Sequence, residues 1–426
     1  MSDLLIHALD TAWMSSNPAA LQVTVDPATV EGPFAASNLL VANAAAQNAT
    51  AAFQQPVPLD LSSFDELRFW IIADRIAEGT ARAPYFLEFS YIDAGDAPGE
   101  EHRWFVSINM PGRWEQRRIG IANDRRSAVT SFRFRSILAN PFVCHLNELL
   151  AVFEQMLPDA EQALITALDG QVVLPRLSHL LLKQPAAAGA NQIVVPLTSG
   201  IAANNRIRVD EGSGNSEIHD VAAVSSDAAA GSTTMTFAAG DVTGQAFAAN
   251  VAFASVIVPV IIEAPPSPAP AVSPSIVLTM LDAREDLARS TPFTQRDSFR
   301  PRGSLTFASV RPGPRAYFVD YQVSSIAPDR AQQIAIQSFI LSHLSMDIGL
   351  RINGSVAPVQ ILPPTDLLNR HLDTLAPSYV RIGTHQECAP RIEMPWVVRT
   401  TVQSGLLVNG AVSSSPVDQE GIVQQL

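Results

Sequence analysis

The residues best equipped for chemistry in this chain are aromatic and basic. Trp70, Tyr85, Tyr91, Trp104 and Trp114 lie close together in the first third of the sequence. Aromatic faces stack on pyranose rings, so these five could read a glycan. The same rings could fill a β-sandwich core, and the alternation of Tyr85 and Tyr91 with Leu87 and Phe89 favours the core. Arg133 and Arg135 lie two apart on a predicted strand and share a face with Ser131. Arg117, Arg118, Arg125 and Arg126 are near in sequence. Such a stripe could dock an acidic neighbour or stand as a solvated outer face, and the sequence leaves both open. Trp104, Trp114, Arg133 and Arg135 are therefore the candidate binding residues, for a glycan or a protein partner. Asp297, Arg300 and Arg302 form a second candidate of the same kind.

The acidic residues argue for less. Asp93, Asp96, Glu100 and Glu101 crowd one loop, but they lack the fixed spacing of a calcium-binding loop and read as a solvated turn. Asp282, Glu285 and Asp286 are interleaved with Arg284 and Arg289, which makes local ion pairing the simpler account. The eight histidines are scattered. There is no HExxH pair, no phosphate-binding glycine loop and no GxSxG elbow. No catalytic residue, metal site or cofactor is expected, and the chain reads as a non-enzyme.

Bulk properties narrow the class. With 47% hydrophobic and 16% charged residues, the 426-residue chain can build real cores in two or three domains. A net charge of −13 argues against general nucleic-acid binding. Of 28 basic residues, 27 are arginine and one is Lys183. Arginine pairs bidentately with carboxylates and suits interfaces. Cys144 and Cys388 stand far apart and read as two free thiols. The first sixteen residues lack a basic start and do not read as a secretory signal. No apolar run reaches the ~20 residues of a membrane helix. Synthesis in a host cytoplasm is expected.

The elements that must position these residues are mainly strands. Period-two alternation runs through Asp65–Asp74, Pro84–Asp93, His102–Asn109, Arg113–Ile121 and Val129–Leu138, so residues 1–142 predict a β-sandwich. Leu146, Leu149, Leu150 and Phe153 fall at i, i+3, i+4 and i+7, predicting a helical connector over 143–170. Residues 171–263 return to short strands and predict a small β-barrel or sandwich. Five prolines mark 264–274 as a spacer. Residues 275–412 predict an α+β domain. Its clearest helix is Pro328–Met346, with Ile334, Gln337, Ile340, Leu341 and Leu344 on one face. Residues 413–426 read as a tail. The fold class is mainly β and multidomain.

Several stretches carry a family resemblance. LDLSSFDELRFWIIADR, PYFLEFSYID, HRWFVSIN and SAVTSFRFRSI together resemble a carbohydrate-binding-module jelly roll. AAGANQIVVPLTSGIAANNRIRVDEGSGNSEIHDV resembles small β domains of tailed-phage and contractile-injection-system proteins. DYQVSSIAPDRAQQIAIQSFILSHLS and APSYVRIGTHQECAPRIEMPWVV are similar to baseplate and neck components. The resemblance implies a structural protein of a phage tail or tail-like particle, a baseplate or collar adaptor located in the virion. Its partners would be other tail proteins, met in several copies by symmetric contacts. The alternative is a carbohydrate-binding, adhesin-type protein whose jelly roll reads a surface glycan.

Overall fold

The structure, a computed structural model, describes residues 3–212, 215–262, 274–289, 295–302, 305–311, 313, 315–344, 349–362, 378–386 and 392–396. It is mainly β, as the alternation predicts, with two α-helices among the described residues. None of its helices is long and apolar enough to cross a membrane.

The N-terminal sandwich uses eleven strands: β1 (Asp3–His7), β2 (Met14–Ser15), β3 (Leu21–Asp26), β4 (Ser37–Ala42), β5 (Thr50–Leu59), β6 (Glu66–Ala73), β7 (Leu87–Asp93), β8 (His102–Phe105), β9 (Glu115–Gly120), β10 (Val129–Ser136) and β11 (Phe142–Val152). Its first sheet runs β3-β4-β11-β6-β9, with β1 also on β11; its second begins β2-β5-β10-β7-β8. Phe69, Phe89, Phe132, Phe134, Tyr91 and Trp104 meet between the sheets and are at most 1% exposed. Each aromatic removes on the order of 150–250 Å² from water. At ~25 cal/mol per Å² that burial dominates the local energetics.

The predicted connector over 143–170 is half strand. Residues 142–152 form β11, the centre of the first sheet, and only α1 (Met156–Leu168) is helical. The cause is a β-bulge. Phe142, Cys144 and Leu146 face the core, and then the register shifts between Asn147 and Leu150. Glu148 sits at φ 51° and absorbs the extra residue, after which Leu149 and Ala151 face inward. A parity change inside a strand places apolar residues three apart and imitates a helix.

The middle segment forms one six-stranded sheet from β12 (Leu180–Leu181), β13 (Gln192–Pro196), β14 (Arg206–Asp210), β15 (Ser216–Asp227), β16 (Ser232–Phe237) and β17 (Phe253–Ile257), ordered β12-β17-β14-β15-β16-β13. The Lys183 amide donates to the Val194 carbonyl at 2.8 Å, drawing the two end strands together. The Lys183 ammonium donates to the carbonyls of Ala230 and Gly231, each at 3.0 Å.

The C-terminal segment contains β18 (Val260–Ile262), β19 (Ser275–Glu285), β20 (Gln295–Arg302), β21 (Leu305–Arg311), β22 (Arg315–Ile326), α2 (Arg330–His343), β23 (Leu350–Ile352), β24 (Ser355–Ala357), β25 (Val359–Leu362), β26 (Ser378–Gln386) and β27 (Ile392–Trp396). The expected proline spacer lies outside the described residues but for its last position. Helix α2 is capped by Asp329, whose side chain accepts from the Gln332 amide. Its buried residues are Gln332, Ile336 and Ile340, with Leu344 beyond. Ile334 and Leu341 are nearly half exposed, unlike the predicted face, because α2 lays one narrow i, i+4 stripe on β22 and β26.

The segment also differs from a free-standing domain. While β18-β19-β22-β26-β25 make their own sheet, β20-β21-β27 continue the second sandwich sheet beyond β8. The β23–β24 hairpin docks on the outer face of the first sheet. Its turn, Asn353 at φ 50° and Gly354 at φ 78°, is an Asn-Gly turn of the primed kind. The Trp70 indole donates to the Gly354 carbonyl at 3.0 Å. Ser355 donates to Gln116 at 2.9 Å, and Asn353 donates to Asp159 at 2.7 Å. Beneath the turn Arg68 is wholly buried, paired with Glu66 at 2.7 Å and Glu154 at 3.3 Å. A buried guanidinium must keep such partners, because its desolvation cost is otherwise uncompensated.

Candidate functional site

The second sheet alternates cleanly between faces. Leu87, Phe89, Tyr91, Phe132, Phe134 and Trp104 point inward. Glu88, Ser90, Arg103, Ser131, Arg133 and Arg135 alternate with them and occupy the outer face. Strand register arranges these side chains in rows. One row reads Ala52, Arg133, Ser90, Arg103 across β5, β10, β7 and β8. The next reads Thr50, Arg135, Glu88, Phe105. Arg133 and Arg103 therefore flank a serine, about 10 Å apart at two strand spacings.

Arg133 and Arg135 are paired on this face. Arg133 meets Glu101 at 2.6 Å, and Arg135 meets Glu88. Burial raises the Glu88 pKa, while Arg135 and Arg103 pull it back down. Ser131 is 1% exposed and its hydroxyl has no hydrogen-bond partner; the buried Arg135 Nε has none either. Both atoms are buried beneath the paired charges of this face.

At the β8 edge a groove of about 540 Å³ is lined by Glu100, Glu101, His102, Arg103, Asp124, Arg135, Arg300 and their neighbours. His102 lies between Asp124 and Asp96, with a ring nitrogen 3.2 Å from each. Burial opposes the charged ring, but the two carboxylates outweigh it and the His102 pKa is raised. Burial raises the Asp124 pKa in turn, but His102 and Arg300 outweigh it and hold that carboxyl low. Arg300, delivered by β20, meets Asp124 at 2.8 Å and lies 4.8 Å from the Trp104 ring centre.

The predicted site residues divide accordingly. Arg133 and Arg135 come together on the outer face. Trp104 does not join them: at 1% exposure it stacks on Tyr91 inside the sandwich, so it cannot offer a face to a sugar. Trp114 is half-buried just before β9 of the other sheet, edge-on to His145 at 6.5 Å. Tyr91 and Tyr85 are buried, and Trp70 lies under the C-terminal hairpin. The acidic loop is used internally. Asp93 accepts from the amides of Gly95 and Ala128, and Asp96 holds His102. Among the described residues no group of three His, Cys, Asp or Glu is placed to hold a metal ion. Asp286 pairs with Arg289 and Asp320 with Arg284. Sequence reasoning missed Glu88, Ser90 and Arg103. Their signal was their alternation with Phe89 and Trp104. It named Arg300 without its destination, which depends on a contact 176 residues away.

No protein-family model matches the chain, and no curated protein matches it. Among solved structures, the N-terminal region is similar to carbohydrate-binding modules. One is the family 30 module of a cellulosomal cellulase of Clostridium thermocellum: 16% identity, TM-score 0.29, 36% of this chain and 100% of that one. Another is the family 11 module of Clostridium thermocellum in complex with a β-1,3-1,4-mixed-linked tetrasaccharide: 12% identity, TM-score 0.27, 35% of this chain and 95% of that one. A β-1,2-glucanase from Parabacteroides distasonis is similar at 10% identity and TM-score 0.26, over 60% of this chain and 38% of that one. At TM-scores of 0.29 and below, these likenesses decide neither a fold nor a ligand. None of the three is a tail or baseplate protein.

Proposed function

We propose that this protein binds carbohydrate through the outer face of its second sandwich sheet and the groove at its β8 edge. The observation that carries this is the row Arg133–Ser90–Arg103 beside a groove of about 540 Å³. That volume falls within the range of small-ligand sites. Guanidinium forks donate two parallel hydrogen bonds, a geometry that fits adjacent sugar oxygens. Sheet-borne side chains hold their positions better than loop-borne ones, which favours repeated recognition of one spacing. Binding without turnover is part of the proposal. A glycan array probed with the full chain tests it. Retention that is lost in Arg133→Ala and Arg135→Ala, with no release of reducing ends, is expected. No retention of any glycan overturns it.

A second reading, attachment to a tail-like particle, has one observation in its favour. Leu181 (47% exposed) and its register partner Phe253, with Ile218 (53% exposed), lie on the outside of the middle sheet. Exposed apolar patches of this kind suit protein contacts. Co-sedimentation of the chain with assembled particles is the expected result, and its absence removes this reading.

A further inference from the structure

We infer that the ligand of the β8 groove is an acidic glycan, one whose sugars carry carboxylates; this rests on the carbohydrate reading above. The groove's own carboxylates are largely committed. Glu88 is held by Arg135, Glu101 by Arg133 at 2.6 Å, and Asp124 by Arg300 at 2.8 Å. Asp96 is held by His102 at 3.2 Å and by the Asp93 amide at 3.0 Å. Glu100 is the exception, with one long contact from the Ala97 amide at 3.4 Å. One donor is not committed in the same way. Arg103 is exposed and makes no hydrogen bond or ion pair within the described residues. Arg135 is not spare in this way: it engages Glu88, and its Nε is buried. A groove with occupied acceptors and one spare guanidinium, that of Arg103, selects a ligand rich in acceptors. A carboxylate is the best of these, because charge-assisted hydrogen bonds are about twice as strong as neutral ones. The effect is local, since the whole chain carries −13.

Isothermal titration of the full chain with an oligogalacturonate and with a cello-oligosaccharide of equal length is the test. The acidic sugar is expected to bind and to weaken as salt is raised, since screening reaches partly exposed charges. Arg103→Ala should weaken it about tenfold, the size of one charge-assisted hydrogen bond. Arg103→Lys should retain part of the affinity. Equal or tighter binding of the neutral sugar overturns the inference and leaves the carbohydrate reading standing. So does an Arg103→Ala variant that binds the acidic sugar unchanged. Failure of both sugars to bind overturns the two together.

Discussion

Gly354→Ala tests how the C-terminal segment is fastened to the sandwich. Gly354 has φ 78°, and a Cβ there would lie 2.8 Å from Leu150 Cδ1, 2.9 Å from Gln116 Nε2 and 3.1 Å from Glu148 Oε2. Two costs follow. The left-handed backbone disfavours any L-residue by ~1–2 kcal/mol. The crowding is relieved by moving the ends of the Leu150, Gln116 and Glu148 side chains, which breaks the Gln116–Ser355 bond and disturbs the neighbouring Trp70 bond to the Gly354 carbonyl. At ~1 kcal/mol each, these add a further ~1–2 kcal/mol. Gly99 is a matched control: it has φ 86° but nothing within 4 Å of its Cβ. Gly99→Ala therefore carries the backbone cost alone. The excess in Gly354→Ala should speed hydrogen exchange in β23 and β24 by roughly 5–30-fold over Gly99→Ala. The Trp70 indole N–H resonance should shift in the first variant and stay in the second. Equal exchange in the two variants with an unmoved Trp70 signal would refute the docking.

Three further outcomes follow from the same coordinates. Trp104→Ala should cost ~3–5 kcal/mol in denaturant unfolding, whereas half-buried Trp114→Ala should cost about 1 kcal/mol or less; similar losses contradict the core placement. The raised His102 pKa makes its contribution fully present below about pH 6.5 and lost as pH climbs through the folded value. The lowered Asp124 pKa gives the opposite sense: stability present above about pH 4, lost as pH falls through the depressed value. The wild-type melting temperature should thus fall between about pH 6 and pH 8.5 more steeply than that of His102→Gln, and parallel curves would contradict the bracketing. Burial and the nearby Asp74 push the Cys144 thiol pKa up, so Cys144 should resist alkylation in the native protein and react on denaturation; prompt native labelling contradicts its place in the core.

Much of the sandwich is legible in the sequence, because one apolar face imposes period two on β6, β7, β8 and β10. The same alternation separates Arg133 and Arg135 from Phe132 and Phe134. What it leaves open is which aromatics are enclosed. Trp104 goes inside because its register partner is Phe89. The strand β11 is hidden by its own bulge: one residue in the left-handed region changes the parity of everything after it. The edge of the groove is hidden for a different reason. Arg300 reaches Asp124 only because β20 joins a sheet begun by residues far earlier, and no local pattern records that pairing. Helix α2 was readable as a helix, and Ile340 and Leu344 of its predicted face are buried, but Gln332 and Ile336 take the places expected for Ile334 and Leu341, since a short run of mixed residues supports more than one apolar face.

The central claim is that the outer face of the second sandwich sheet receives a saccharide. Hydrogen exchange of the full chain, with and without a saturating acidic oligosaccharide, tests it most directly. Slower exchange confined to β8, β10 and the Arg300 end of β20 is the predicted result. Unchanged exchange there, or protection confined to the middle sheet, would contradict it.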